Sequence, residues 1–330
     1  MRPKMTMNIT AWEPELEPYE SREALQHFYR DLGYDGLELM LCGTPEVPEK
    51  LPREDLIGLH LRYYHSWVDF WNQDRQALLK EYGEEDVWHQ YFGGSTRQEF
   101  LAGFQMDLDT AQALGVNYVV FHIAECTLEE SCNYQFVHTD EEVCDAAVEV
   151  INRLLDGKNY NFDFLVENLW WSGLTLTRPE ITRRVMDGIH YEKKGIILDT
   201  GHLLHTNNDL RTQAEAVQYI HEILDRNGDL CRYIKGMHLN QSLSGAYVQA
   251  AIQNPPVLTG NYWERLTQVF PHIKRIDYHE PFTDPGVAGL IRRIQPKYVT
   301  VELLPKDQQQ RKDWLRLQME SLQAGGGTEY

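Results

Sequence analysis

The sequence is short of positive charge. Its 31 Lys and Arg face 50 Asp and Glu, a formal net charge of −19 over 330 residues. A chain this acidic repels phosphate backbones at long range, so polymeric nucleic acid is a poor partner. No run of cations compensates; the densest pairs, Arg183-Arg184 and Arg292-Arg293, fall on expected helices. Cysteine is scarce too. There are five, an odd number with no C-x-x-C pair, which excludes a disulfide framework and a cysteine-type zinc site. No stretch nears 18 consecutive apolar residues, and the start MRPKMTMNIT lacks the apolar segment of a signal peptide. The expectation is a cytoplasmic protein with reduced thiols and no membrane contact. Neither G-x-G-x-x-G, nor a Walker loop, nor G-x-S-x-G occurs, which leaves nicotinamide, ATP and serine-hydrolase chemistry without support.

What the chain does have is alternation. Short apolar runs at residues 5–10, 36–42, 56–64, 118–124, 164–169, 195–200, 234–240 and 299–304 alternate with longer stretches of helical pattern. The clearest of those stretches are 21–32, 96–114, 140–155, 179–187 and 212–227. Strands separated by helices imply parallel βαβ units, and eight of them imply a closed (β/α)8 TIM barrel of the α/β class. Ser21 and Thr96 are expected N-caps, with Glu23 and Glu99 near the third helical position. Glycines 33 and 115 stand where helices should end. No Pro-, Gly- or Ser-rich linker divides the chain, so one domain is expected: a catalytic barrel over 1–310, then a C-terminal helix and disordered tail over 311–330. Residues 241–286 form a long excursion after the seventh strand, on the face where barrels carry function.

The decisive pattern is where the ionisable residues fall. Parallel barrel strands are buried on both faces, so a charged residue near a strand end needs a reason. The third strand ends in His60 and the fourth in His122. The fifth carries Glu167-Asn168, the sixth Asp199 with His202 just beyond, the seventh His238 and the eighth Glu302. Singly, each has an ordinary reading: a hydrogen-bonded histidine, half of a buried ion pair, or, for Asp199, a helix cap. Six strands carrying imidazole or carboxylate at one end, where barrel strands converge, point instead to a divalent transition metal. Aromatic residues cluster beside them. Tyr63, Tyr64, Trp67 and Trp71 follow the third strand, and Trp170 and Trp171 the fifth; such faces suit stacking on a sugar ring or a base. Arg62 and Lys235 read as partners of nearby acids rather than as phosphate ligands.

The ordered segments VFH, VENLWW, LDTGH, MHLN and VELL resemble the xylose isomerase-like, or endonuclease IV-like, TIM-barrel superfamily over nearly the whole chain. The resemblance implies a metal core of Glu167, Asp199, His238 and Glu302. In the isomerase and epimerase branches it implies one Mn or Zn ion, with Glu167 and Glu302 moving a proton next to a sugar carbonyl. In the endonuclease IV branch it implies three zinc ions that cleave a phosphodiester. The additional ligands for that are present as His60, His122, His202, Asp277 and His279, which bring the candidates to nine.

The leading expectation is therefore a metal-dependent isomerase or epimerase of a sugar or sugar derivative, with Trp67, Trp170, Trp171 and His202 against the substrate. A zinc phosphoesterase is the second reading, for which a small substrate avoids the charge objection. A barrel that binds metal and ligand without catalysis is the third. Related barrels often pair, so a homo-oligomer is also among the expectations.

Overall fold

The computed structural model describes residues 2–43 and 46–326. The apolar runs become eight strands: β1 Lys4–Thr10, β2 Gly36–Met40, β3 Leu56–His60, β4 Tyr118–His122, β5 Asp163–Glu167, β6 Lys194–Asp199, β7 Ile234–Leu239 and β8 Tyr298–Val301. Each pairs in parallel with its sequence neighbour, and β1 pairs with β8 to close the TIM barrel. Most strands stop one to four residues short of the apolar run, where the chain leaves the ladder to form loops over the mouth.

Side chains alternate across a strand, so every second residue points into the barrel. Tyr118 and Val120 precede His122, Leu165 precedes Glu167, Ile197 precedes Asp199, and Tyr298 and Thr300 precede Glu302. The lower residues of this series form an interior core of Tyr118, Val120, Leu165, Ile197 and Tyr298, with the Tyr118 and Tyr298 rings stacked 4.4 Å apart. That core fills the barrel below the site and gives the polar layer above it a rigid floor.

The expected helices form outside. Thr96 and Glu99 make a reciprocal cap at the start of Arg97–Leu114, and Gly115 ends that helix in the left-handed region at φ 70°. Ser21 caps Arg22–Arg30 through the Ala24 amide alone. Besides the short helix Leu128–Asn133 after β4, two larger insertions ride above the barrel. Residues 241–286 contain helices Gly245–Gln253 and Tyr262–Ile276 ahead of Val287–Ile294, which packs beside the outer helices Gln213–Asn227 and Gln308–Ala324. The other insertion, which the sequence pattern did not reveal, folds three short helices, Val68–Asn72, Arg75–Tyr82 and Glu85–Phe92, between β3 and its helix. Their aromatic residues explain why: Phe70 stacks on Phe92 at 4.1 Å, and Tyr82 meets Tyr262 of the other insertion at 4.6 Å.

The last helix runs Gln308–Ala324, and Arg292 donates to the Gly325 carbonyl at 2.8 Å. Of the tail expected to be disordered, residues 327–330 lie outside the described residues. All five cysteines are free, and no helix among the described residues is long and apolar enough to cross a membrane.

Candidate metal centre

Parallel register brings the polar strand ends together. His122 is the ladder partner of Glu167, and Asp199 that of His238. Neighbouring strands lie about 4.8 Å apart, so side chains leaving partnered positions on one face must meet. His60 and Glu302 complete the ring from β3 and from just past β8.

The nine candidates fall into three groups. In the first, Nε2 of His122 lies 3.0 Å from Nε2 of His60 and 3.1 Å from Oε2 of Glu167, and His60 Nε2 lies 3.4 Å from the same oxygen. In the second, His238 Nδ1 is 3.1 Å from Glu167 Oε1, 2.9 Å from Glu302 Oε2 and 3.8 Å from Asp199 Oδ2. Glu167 therefore gives one oxygen to each group. In the third, Asp199, His202 and His279 have donor atoms within 4.8 Å of one another, and Asp277 Oδ2 lies 2.8 Å from His279 Nε2 and 3.4 Å from His202 Nε2.

These spacings test the fit of a metal. With Zn–N and Zn–O bonds of about 2.0–2.2 Å, two donors on one tetrahedral ion stand roughly 3.3–3.5 Å apart. The contacts above cluster at or slightly inside that edge. The contacts of Glu167 Oε2 and Glu302 Oε2 are close without being hydrogen bonds, and neither buried oxygen has a hydrogen-bond partner; nor has buried His279 Nδ1, whose ring meets Asp277 through Nε2. Buried polar atoms rarely stay unsatisfied, and lone pairs converging on a shared point are what ligands need. The ring tautomers agree. His60 Nδ1 donates to the Leu61 carbonyl at 2.8 Å and His202 Nδ1 to that of Asn168 at 3.0 Å, leaving each Nε2 as a lone pair toward its group. The donor set is that of buried metal sites.

Charge is divided unevenly among these residues. Burial pushes the Glu167 carboxyl up, but His238 and His122 outweigh it and hold it well below the usual carboxylate range. The same contest, burial against His238, brings Glu302 down to about 2. Asp199 keeps the mark of burial, opposed by His202, at about 6. Burial disfavours the charged His279 imidazole, yet Asp277 lifts it to about 9.

Further residues hold the ligands in place. Asp199 accepts the His202 amide at 2.6 Å through Oδ1, which bears out the capping reading, while Oδ2 faces the second group. Asn168 brackets the Asp199 backbone and Asn240 donates to Oδ2 at 2.9 Å. A Cβ at position 201 would lie 1.9 Å from Asn240 Oδ1, so a larger residue there would displace the Asn240 side chain from Asp199. The Asp277–His279 pair returns from the long insertion through an antiparallel bridge between Gln241 and Glu280, and the Ser242 hydroxyl accepts the amides of Tyr278 and His279 at 3.0 Å. His279 sits at φ 44°, in the left-handed region that non-glycine residues seldom adopt.

Sequence reasoning missed Glu38. It is buried on β2, its carboxylate accepts from Tyr118 at 2.6 Å and Thr300 at 2.8 Å, and it meets His238 Nε2 at 3.0 Å. The signal was a lone carboxylate inside the apolar run GLELM. His205 was missed as well; its Nε2 lies 3.1 Å from Asp277 Oδ1.

The aromatic residues take different positions. Tyr63, 50% exposed, stacks on His122 at 4.7 Å. Trp170 lies 5.2 Å from the His202 ring, with Trp171 packed against it at 4.5 Å. Trp67 is buried in the main core, its indole donating to the Ala124 carbonyl at 2.9 Å. Arg62 forms a bidentate pair with buried Asp107, and Lys235 pairs with Asp163 at the opposite end of the barrel.

A family model described as xylose isomerase-like TIM barrel matches residues 27–320. No curated protein sequence matches the chain significantly. Among solved structures, endonuclease IV from Thermus thermophilus superposes with a TM-score of 0.54 at 17% identity, covering 98% of this chain and 100% of that one. A sugar phosphate isomerase/epimerase from Parabacteroides distasonis gives 0.53 at 11%, covering 100% and 96%. The IOLI protein, solved with a bound zinc atom, gives 0.55 at 12%, covering 99% of each chain. At these identities the likeness is one of fold.

Proposed function

The chain belongs to the xylose isomerase-like TIM-barrel family, and we propose that it is a phosphodiesterase dependent on three divalent metal ions, most simply zinc, that acts on a small phosphodiester. His60, His122 and Glu167 would hold one ion, Glu167, Asp199, His238 and Glu302 a second, and His202, Asp277 and His279 the third. The observation that carries this reading is the third group. An enzyme that works with one ion needs only the four-residue set, whereas here Asp277 Oδ2 and His279 Nε2 stand 2.8 Å apart beside His202 after a long detour of the chain.

Bound ions of this kind act as Lewis acids on a phosphoryl group and lower the pKa of water. The protein's part is to hold the ligands rigidly. Glu167 turns its two oxygens to two different groups, and Glu38 and the Leu61 and Asn168 carbonyls fix the imidazole tautomers. The net charge of −19 disfavours a polymeric nucleic acid. A cavity of about 550 Å³ next to Asp277, lined by Lys274, Lys306 and Arg311 as well as by Glu15 and Asp307, has room for a small ester instead.

The test joins metal content with hydrolysis of bis(p-nitrophenyl) phosphate. About three equivalents of zinc per chain and metal-dependent release of p-nitrophenol are expected. A single equivalent with no release would overturn the reading. It would favour instead a sugar isomerase or epimerase on the second group, in which Glu167 and Glu302 stand 3.1 and 2.9 Å from His238 Nδ1 and would move the proton. Trp67, Trp170, Trp171 and His202 would then be examined for substrate contact.

A further inference from the structure

Asp277 divides its two carboxylate oxygens. Oδ2 faces His279 and His202 in the third group, at 2.8 and 3.4 Å. Oδ1 is turned the other way, toward Nε2 of His205 at 3.1 Å. His205 ends the short helix Thr200–Leu204, one turn after His202 and on the same side. It is buried, and its ring packs edge-on against Trp170 at 4.7 Å. Its other nitrogen, Nδ1, lies 3.4 Å from the Ser244 hydroxyl, in the first turn of the long insertion.

We propose that His205 is a positioning residue for a third metal ion: its Nε2–H fixes the Asp277 carboxylate so that Oδ2 faces His202 and His279. The inference rests on the three-ion reading above. The geometry sets the tautomer. If Nε2 donates to Asp277, Nδ1 is an acceptor, and the Ser244 hydroxyl supplies its hydrogen. The strand-end groups need no such device, because their ligands leave a rigid ladder. Asp277 instead follows the helix Tyr262–Ile276 of an insertion, where only side-chain contacts limit its rotation. A hydrogen-bonded partner on a ligating carboxylate typically matters 10–100-fold in metal affinity.

The experiment compares wild type, His205→Ala and His205→Gln. Glutamine can place an N–H near the Nε2 position; alanine cannot. Zinc per chain is measured by elemental analysis after equilibration at buffered free Zn²⁺, and the metal-free melting temperature serves as control. Alanine should leave two ions at wild-type affinity, weaken the third 10–100-fold and barely move the metal-free melt. Glutamine should restore a measurable part of the third ion's affinity. Should the alanine variant fail to fold, His205→Asn takes its place, since its shorter amide cannot reach the Nε2 position. Retention of the third ion at full affinity by the alanine or asparagine variant would overturn the inference, as would glutamine doing no better than they do. A wild type that never exceeds one ion overturns the three-ion reading and this inference with it. A wild type with three ions and an indifferent His205 variant overturns this inference alone.

Discussion

The Glu38 carboxylate lies 3.0 Å from Nε2 of His238, while Nδ1 of the same ring faces Glu167 and Glu302. One imidazole thus joins a carboxylate from the far side of the barrel to the centre of the second group. Three donors, Tyr118, Thr300 and His238, converge on Glu38, so its carboxylate is hydrogen-bonded at this depth. An acceptor behind a ligating histidine fixes the tautomer and raises ligand basicity. Glu38→Gln should therefore weaken the ion of the second group about 10–100-fold, measured by competition with a chromophoric chelator. Unchanged affinity would mean that Glu38 only neutralises its neighbours.

His279→Ala removes a ligand from the third group and leaves the four-residue group whole. A phosphodiesterase should lose roughly 10²–10³-fold in kcat on bis(p-nitrophenyl) phosphate, the cost of losing one preorganised electrophilic group, together with one equivalent of zinc. A variant that keeps both its zinc and its rate would remove Asp277 and His279 from the working site.

Gly58 lies on β3 against the Tyr118 ring. A Cβ there would stand 2.3 Å from Tyr118 Cζ, inside any permitted contact, and the stacked Tyr298 ring at 4.4 Å leaves Tyr118 little room to move. Gly58→Ala should cost about 1–3 kcal/mol of stability by overpacking. By displacing the hydroxyl that donates to Glu38 it should also weaken the second ion. Chemical denaturation and zinc titration of the same protein check the two effects. A neutral effect on stability would mean that the interior core is looser than these distances imply.

Away from the site, His138 donates to Asp69 at 3.0 Å, with Glu142 at 4.0 Å and Glu125 nearby. The hydrogen bond to Asp69, opposed by partial burial and helped by these carboxylates, lifts the imidazole to about 9. The folded value is above the unfolded one of about 6.5. The pair's stabilisation is therefore complete below that value and disappears as pH rises through about 9. Allowing for solvent screening, it should amount to about 1 kcal/mol. His138→Gln should lower the melting temperature at pH 6 and have little effect at pH 10. An equal drop at both values would assign the loss to packing rather than charge.

Sequence alone determined the barrel, because eight apolar runs at βα spacing admit few topologies, and it picked out all nine candidate ligands. Those on strands were legible for a simple reason: a charge on a doubly buried strand is costly, so its presence there is a signal, and the period of two sets which face it joins. Asp277 and His279 showed in the residue pattern alone, since nothing local says that an insertion of some forty residues returns to the mouth. The Gln241–Glu280 bridge and the Ser242 hydroxyl decide that, and both are long-range contacts. The remaining decisions were tertiary as well. Glu38 meets His238 across 200 residues and His205 meets Asp277 across 72. Trp67 lies in the core and Tyr63 at the mouth because of how the aromatic insertion packs, which no local period encodes. Composition and spacing fix which side chains a strand presents; which ones share an ion depends on how the closed ladder aligns one strand against the next.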